Sequence, residues 1–425
     1  MKKNLIFSIV AFLLATAGAK AQDVYVAGGD YISGQHCHAT VWKNGVQQNI
    51  TDGSTFASAN SVFVAGNDVY IAGYDDNRAA LWKNGIAINL EHGNAVSEAN
   101  SVFVAGNDVY VAGTDASSAV LWHNSVKLEL PGVAQYGGQY VNLEAPSSAN
   151  SVFVDGNDVY VAGIGRLRPV SPFNAPYYDV ALAWKNGEVS FISSSMPSGP
   201  YEQANSIFVS DGDVYIAGVY QSYFRSKSVA KLWKNGVETV LTDSMHYASA
   251  NSVFVDGNDV YAVGEIINTL YSSERAIMWK NQEVYMEISD ARFYSVYVSN
   301  SDVYVTGRQN VNNAELSIVW KNGQPLYSLP INDGDFYSVF VVPSSSAIET
   351  VETDKLQIYV SENLLGFENL TGLTNVAIFD AMGRTVGARF IAPANNGAQT
   401  IDISHLPSGV YIVKAGGKTG KFIKK

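Results

Sequence analysis

The chain has 425 residues, 47% of them apolar and 25 of them tyrosine, which is ample for a large β-rich core and allows two or three domains. Its formal charge of −12 opposes nucleic acid and polyanionic membranes as partners, since both require basic footprints. A single cysteine, Cys37, excludes a disulfide framework, so stability has to come from packing.

Residues 1–21 read as a secretory signal peptide. Lys2 and Lys3 form the basic start, an apolar run follows to Ala17, and Ala19-Lys20-Ala21 supplies the small-residue cleavage pattern. The apolar run is too short for a membrane span, and no other stretch approaches the required ~20 residues. The mature chain is expected to begin near Gln22, to be exported and to carry no transmembrane segment. Loss of Lys2, Lys3 and Lys20 leaves it more acidic still, which permits neutral glycans, cationic surfaces or metal ions as partners.

Residues 22–342 are built from one recurring unit, clearest as SVFVAGNDVYVAG at 101–113 followed by AVLWHN at 119–124. Its first piece recurs at Ser61, Ser101, Ser151, Ser206, Ser252, Ser295 and Ser338. Asp-Val-Tyr starts at Asp23, Asp68, Asp108, Asp158, Asp213, Asp259 and Asp302. A third piece centres on Trp42, Trp82, Trp122, Trp184, Trp233, Trp279 and Trp320. Units of about 40–50 residues made of short strands indicate propellers or solenoids.

Each unit predicts four antiparallel strands. Gly-Asn, Asp-Gly or Asn-Ser turns the first strand into the second, and Asn-Gly, which tolerates the positive φ of a type I′ turn, turns the third into the fourth. Both strand faces are apolar, with Val62 and Val64 opposite Phe63, so units must be covered on both sides. The copies are also permuted: the chain enters at a second strand, Asp23, and leaves on a lone first strand at 338–342. Pairing these two ends removes the exposed edges, and Pro343 stops the strand. The expectation is an all-β seven-bladed β-propeller closed by N- and C-terminal strand pairing.

Residues 343–353 have linker composition. Residues 354–425 then predict a small β-sandwich with period-two runs such as LQIYV and VYIVK. NVAIFDAMGRTV at 375–386, Leu406 followed by Ser408-Gly409-Val410-Tyr411, and the terminal Lys421-Phe422-Ile423-Lys424 resemble the C-terminal sorting domain of type IX (Por) secretion substrates in Bacteroidota. An Asn-Pro element frequent near the start of that domain is missing after Asp354. The resemblance implies the type IX secretion machinery as a partner of residues 354–425, and an extracellular destination, secreted or on the outer-membrane surface.

Function is expected on one edge of the repeat. The turns joining first to second and third to fourth strands are short and uniform, whereas the other connections vary; Trp-to-Trp spacings run 40, 40, 62, 49, 46 and 41. Insertions gathered on one face mark a binding face. The longest, at 131–148, 164–179, 193–203 and 219–228, belong to blades three to five. They carry Tyr136, Tyr140, Phe173, Tyr177, Tyr178, Tyr201, Tyr220, Tyr223 and Phe224 with Arg166, Arg168 and Arg225, residue types that dominate interfaces. The expectation is a binding module for protein or glycan; packing of the same aromatics onto the scaffold is the competing account. All the tryptophans belong to the repeat and are expected in the core, which leaves none for sugar stacking.

Other features weigh less. His36-Cys37-His38 could start a metal site, but no further ligands stand at suitable spacing. The Asp of Asp-Val-Tyr is expected to accept turn backbone bonds and not calcium. Asn60, Asn100, Asn150, Asn205 and Asn251 precede first strands and are expected to cap, near a channel mouth. No G-x-S-x-G, H-E-x-x-H, Walker, dinucleotide or Asp-box motif occurs, so no catalytic residue and no cofactor is assigned. Asp75-Asp76 and Asp333 with Asp335 keep a glycan hydrolase or lyase open as an alternative, beside a structural surface or matrix role.

Overall fold

The structure is a computed structural model describing residues 22–33, 36–93, 95–131, 133–136, 139–167, 177–192, 201–221, 227–243, 245–268, 273–330, 334–343, 357–361, 363–368, 374–380, 385–391, 399–415 and 418–424. The expected signal peptide and most of the expected linker lie outside these residues. Among the described residues every regular element is a β-strand. The chain divides into two compact units, one of residues 21–344 and one containing residues 345–425.

Within residues 21–344 the repeat folds into four-stranded antiparallel sheets. Sheet I is made of Asp335–Val342, Asp23–Ser33, His36–Lys43 and Val46–Asn49, so the last strand of this unit pairs with its first, Phe340 opposite Tyr25. Sheet II holds Ala57–Ala65, Asp68–Asp75, Arg78–Lys83 and Ile86–Ile88; sheet III holds Ser97–Ala105, Asp108–Asp115, Ser118–His123 and Val126–Glu129. Units IV (Gln139–Asp155, Asp158–Leu167, Tyr178–Lys185 and Glu188–Phe191) and V (Tyr201–Ser210, Asp213–Gln221, Ser228–Lys234 and Val237–Val240), called sheets IV and V below, are joined with Val133–Tyr136 into one nine-stranded sheet. Sheet VI runs from Tyr247–Asp256 to Glu283–Ser289 and sheet VII from Ala291–Ser299 to Gln324–Pro330.

The third-to-fourth-strand turns take the geometry that Asn-Gly dictates. Asn84 and Gly85 have φ of 52° and 78°, values that Asn and Gly adopt at little cost. The recurring Asp binds differently from the expectation. In sheet II, Asn84 Oδ1 accepts the backbone N–H of Val69 at 2.9 Å, while the Asp68 carboxylate accepts Asn84 Nδ2 and Lys83 Nζ, each at 2.8 Å. Lys83 and then Asn84 hold that carboxyl below its ordinary value. The turn's backbone acceptor is thus the Asn, because the carboxylate is drawn to the stronger cationic donor.

Every first strand carries a β-bulge. Register slips between Ala59 and Ser61, leaving Asn60 as the extra residue, and the same slip isolates Asn100, Asn150, Asn205, Asn251, Tyr294 and Tyr337. The strand opposite approaches so closely that a Cβ on Gly73 would run into the carbonyl oxygen of Ser58, which explains the glycine of Val-Ala-Gly.

Adjacent sheets share cores. One apolar cluster joins sheets I and II, others join II to III and III to IV, and so on to a cluster that joins VII to I through Trp42, Tyr304, Phe336 and Val341. The repeated tryptophans lie in these clusters and are buried. Two further series of contacts run the same way. Phe63, Phe103, Phe153, Phe208, Phe254, Tyr297 and Phe340 contact in succession at 4.7–4.9 Å between centroids, and Phe340 meets Phe63 again. The serine that opens each first strand accepts the N–H of the valine or isoleucine in the next sheet at 3.2–3.4 Å, from Ser61 and Val102 round to Ser338 and Val62.

The strands reach further into the expected loops than their composition indicates. Gln139–Asp155 occupies much of 131–148, pairing Leu143 with Leu167 and Glu144 with Arg166, and Val133–Tyr136 forms a hairpin on it. The driving residue is Leu167, fully buried, which anchors the extension to the core between sheets III and IV.

In the unit containing residues 345–425, Gln357–Ser361, Leu364–Glu368 and Gln399–Asp402 form one sheet, and Thr374–Phe379, Thr385–Ile391, Gly409–Ala415 and Lys418–Lys424 form another. A single core draws Leu365, Phe367 and Ile401 from the first and Val376, Tyr411 and Phe422 from the second. Lys424 is buried, its ammonium bonded to the carbonyls of Ile403, Ser404 and Leu406.

Candidate ligand-binding edge

The long connections of sheets IV and V leave from one strand-end edge, where several expected residues gather. Arg166 and Asp179 stand directly opposite in the register of sheet IV. The guanidinium grips the carboxylate with both arms, Nε to Oδ1 at 2.8 Å and a terminal nitrogen to Oδ2 at 3.1 Å, the fork geometry that makes Arg–carboxylate pairs strong. Tyr177, 46% exposed, places its ring centroid 6.0 Å from the same guanidinium. Asp179 also bridges to Tyr201 in parallel register, which sews sheet IV to sheet V. The Tyr201 hydroxyl donates to Gln203, and burial, then the charge of Asp179, raises its pKa.

Beside this patch lies a cleft of about 280 Å³ between sheets III and IV. Val96, Pro146 and Ile164 supply apolar wall; Thr114, Ser117 and Asp179 supply polar groups. Small-molecule sites combine apolar lining with a few placed polar groups, and this volume falls just below their usual range. Arg166 is matched by Asp179, so the patch offers a planar cation, an aromatic face and no large net charge.

Other expected residues play different parts. Tyr178 packs against the core between sheets III and IV. Tyr220 lies 4.3 Å from Lys231 Nζ, and that buried ammonium bonds Glu202, 1% exposed, and Glu238. For these two, packing onto the scaffold describes what the side chains do. Tyr136 and Tyr140 lie in paired strands, opposite Gln139 and Gln135 respectively. Arg168, Phe173, Tyr223, Phe224 and Arg225 lie outside the described residues, as does Asp333.

The His36-Cys37-His38 stretch differs from a surface thiol. Cys37 is 1% exposed, and burial pushes its pKa up to about 11. His38 Nδ1 bonds the Thr51 carbonyl at 2.8 Å. Among the described residues no three His, Cys, Asp or Glu converge on a point that would hold a metal ion.

The bulge asparagines stitch sheets together. Asn60, Asn100, Asn150, Asn205 and Asn251 donate to the carbonyls of Ala99, Ala149, Ala204, Ala250 and Phe293 in the following sheets, at 2.8–3.2 Å. Sequence reasoning passed over the exceptions. Sheets VII and I carry Tyr294 and Tyr337 at this position, with Asp335 and Tyr31 bonded alongside. The signal was legible as two consecutive breaks in the repeat's letters.

Residues 352–425 match the secretion system C-terminal sorting domain, and so carry the tail of type IX secretion substrates. That tail marks the chain for export to the cell surface or the extracellular space. No curated protein matches the chain. Among solved structures, similar folds include PorZ, a surface component of the type IX secretion system of Porphyromonas gingivalis, at 10% identity and TM-score 0.32, covering 92% of this chain and 74% of that one. Semaphorin 2a of Drosophila is similar at 9% identity and TM-score 0.35, covering 93% and 95%. Apo AztD of Citrobacter koseri is similar at 11% identity and TM-score 0.36, covering 94% and 100%.

Proposed function

We propose that residues 22–342 form a closed seven-bladed β-propeller, exported by the type IX pathway, that binds a protein or glycan partner through the elaborated edge of blades three to five. Closure is supported by the pairing of Asp335–Val342 with Asp23–Ser33 and by the aromatic series that returns from Phe340 to Phe63. The binding assignment rests on one observation: Arg166, Tyr177 and Tyr201 share a single patch organised by Asp179, beside the cleft between sheets III and IV. A half-exposed tyrosine beside a fixed guanidinium offers contact area with a polar handle at little entropic cost. The two side chains are held before any partner arrives, which favours recognition over a merely decorative loop.

The test is binding of the full-length exported protein to arrays of glycans and extracellular proteins. Arg166→Ala and Tyr177→Ala should each weaken the captured interaction at least tenfold, and Tyr177→Ala should leave the melting temperature nearly unchanged. Equal affinity in both variants would remove this edge as the site.

A further inference from the structure

The seven bulges project one residue each at the same level of the repeat. Five are asparagines that bond the next sheet. By the same rule, asparagines at 294 and 337 would serve the carbonyls of Phe336 and Ala59. Tyrosine there forgoes two inter-sheet bonds, each worth about 0.5–1.5 kcal/mol. The tyrosines replace those bonds with ring packing and, at Tyr337, with hydrogen bonds of their own. Bulges are a known device for aiming side chains at functional sites.

The surroundings depart from the repeat at the same place. Two residues before the bulge, sheets II, IV and VI carry serine and sheets III and V carry Glu98 and Gln203, whereas sheet VII carries Arg292 and sheet I carries Asp335. The Asp335 carboxylate accepts Tyr31 at 3.0 Å and Tyr337 at 3.2 Å, and the two phenol oxygens lie 3.3 Å apart. The rings of Tyr294 and Tyr337 are 6.3 Å apart. Tyr31 is 37% exposed, so the group opens to solvent. Arg308 stands opposite Arg292 in the register of sheet VII. These charges are internally matched: Glu274 takes Arg292, and Glu315 takes Arg308.

We infer that Tyr31, Tyr294 and Tyr337, with Asp335, form a subsite for a neutral saccharide on the loop edge of sheets VII and I. A sugar ring presents an apolar C–H face that packs on an aromatic ring, and hydroxyls that both donate and accept. Tyrosine faces, phenol hydroxyls and a carboxylate acceptor supply the complement. The Asp335 carboxylate disfavours an anionic sugar. This site stands apart from the Arg166 patch and does not depend on it.

The test uses full-length exported protein with maltohexaose, cellohexaose, xylohexaose, mannohexaose and chitohexaose, and polygalacturonate as the anionic comparison, by saturation-transfer NMR and calorimetry. At least one neutral hexasaccharide should bind. Tyr31→Ala, at an exposed position, should weaken it at least tenfold. The Tyr294→Asn/Tyr337→Asn double variant should do the same while still melting in one cooperative transition, at a temperature lowered by the lost aromatic packing. Binding of none of the neutral sugars, stronger binding of polygalacturonate, or unchanged affinity in both variants would overturn the assignment. Loss of sugar binding on Arg166→Ala alone would also overturn it, and would move the sugar to the other patch.

Discussion

The rings of Phe340 and Phe63 lie 4.8 Å apart, although one belongs to the last strand of the 21–344 unit and the other to its second sheet. Phe340 touches Tyr297 at the same distance, so it is the link that joins the two ends of the aromatic series. Phe340→Ala should cost about 3 kcal/mol by the usual cost of emptying an aromatic site. Urea unfolding measures it. A midpoint equal to the parent's would show that the ends contribute nothing by meeting.

Gln282 has φ of 75° where most third-to-fourth-strand turns place glycine. A side chain in this left-handed region costs roughly 1–2 kcal/mol, because its Cβ crowds the following carbonyl. Gln282→Gly should therefore raise stability by about 1 kcal/mol, with glycine's greater freedom in the unfolded chain offsetting part of the gain. A lowered urea midpoint would mean that the Gln282 side chain makes contacts worth more than the strain.

The four-strand unit and the end-to-end pairing were legible because period-two patterning and turn chemistry are local, and because the repeat displays its own permutation. Trp82 or Asn84 needs only its neighbours in sequence to be understood. The site was legible in part. Arg166 and Tyr177 announced themselves by type, yet their partner Asp179 emerges only when the register sets it opposite Arg166. Tyr178 and Tyr220 have the same composition signal and opposite fates, since strand alternation turns Tyr178 into the core and Lys231 draws Tyr220 onto its ammonium. Residue type cannot encode which face a strand extension presents.

Cys37 should be inert in the folded protein. With its pKa at about 11, roughly one thiol in a thousand is ionised at pH 8, and the sulfur is also covered. A disulfide reagent such as dithionitrobenzoate should react only as fast as the first sheet opens. Adding urea through the unfolding transition should release one thiol per chain. Rapid stoichiometric labelling of native protein would contradict the burial.

Glu265 accepts Asn251 at 2.6 Å, and burial pushes its pKa above the ordinary carboxylate value. The unfolded chain therefore loses this proton first as pH rises. Between the ordinary and the raised value, the unfolded state binds fewer protons than the folded one, so stability falls with increasing pH. Glu265→Gln keeps an acceptor for Asn251 and removes the ionisation. Its urea midpoint, relative to the parent's, should climb from pH 4 to pH 8. A difference that shrinks over that range would reverse the sign of the argument.

Removal of residues 352–425 separates export from folding, because the two compact units have separate cores. The apolar cluster around Tyr411 and Val413 draws on no residue before 345, and the clusters of the sheets draw on none after 344. The shortened chain should therefore fold and remain in the periplasm. Lys424→Ala in the full chain asks the finer question. Its ammonium holds three backbone carbonyls, and losing it leaves those acceptors in a buried site, at about 1–3 kcal/mol for each one left unserved. The last strand should loosen, export should drop, and the melting transition of the 21–344 unit should stay where it was. Full export of the truncated chain would refute the role of the tail. A lowered transition for the repeat sheets in Lys424→Ala would show that the two units are coupled.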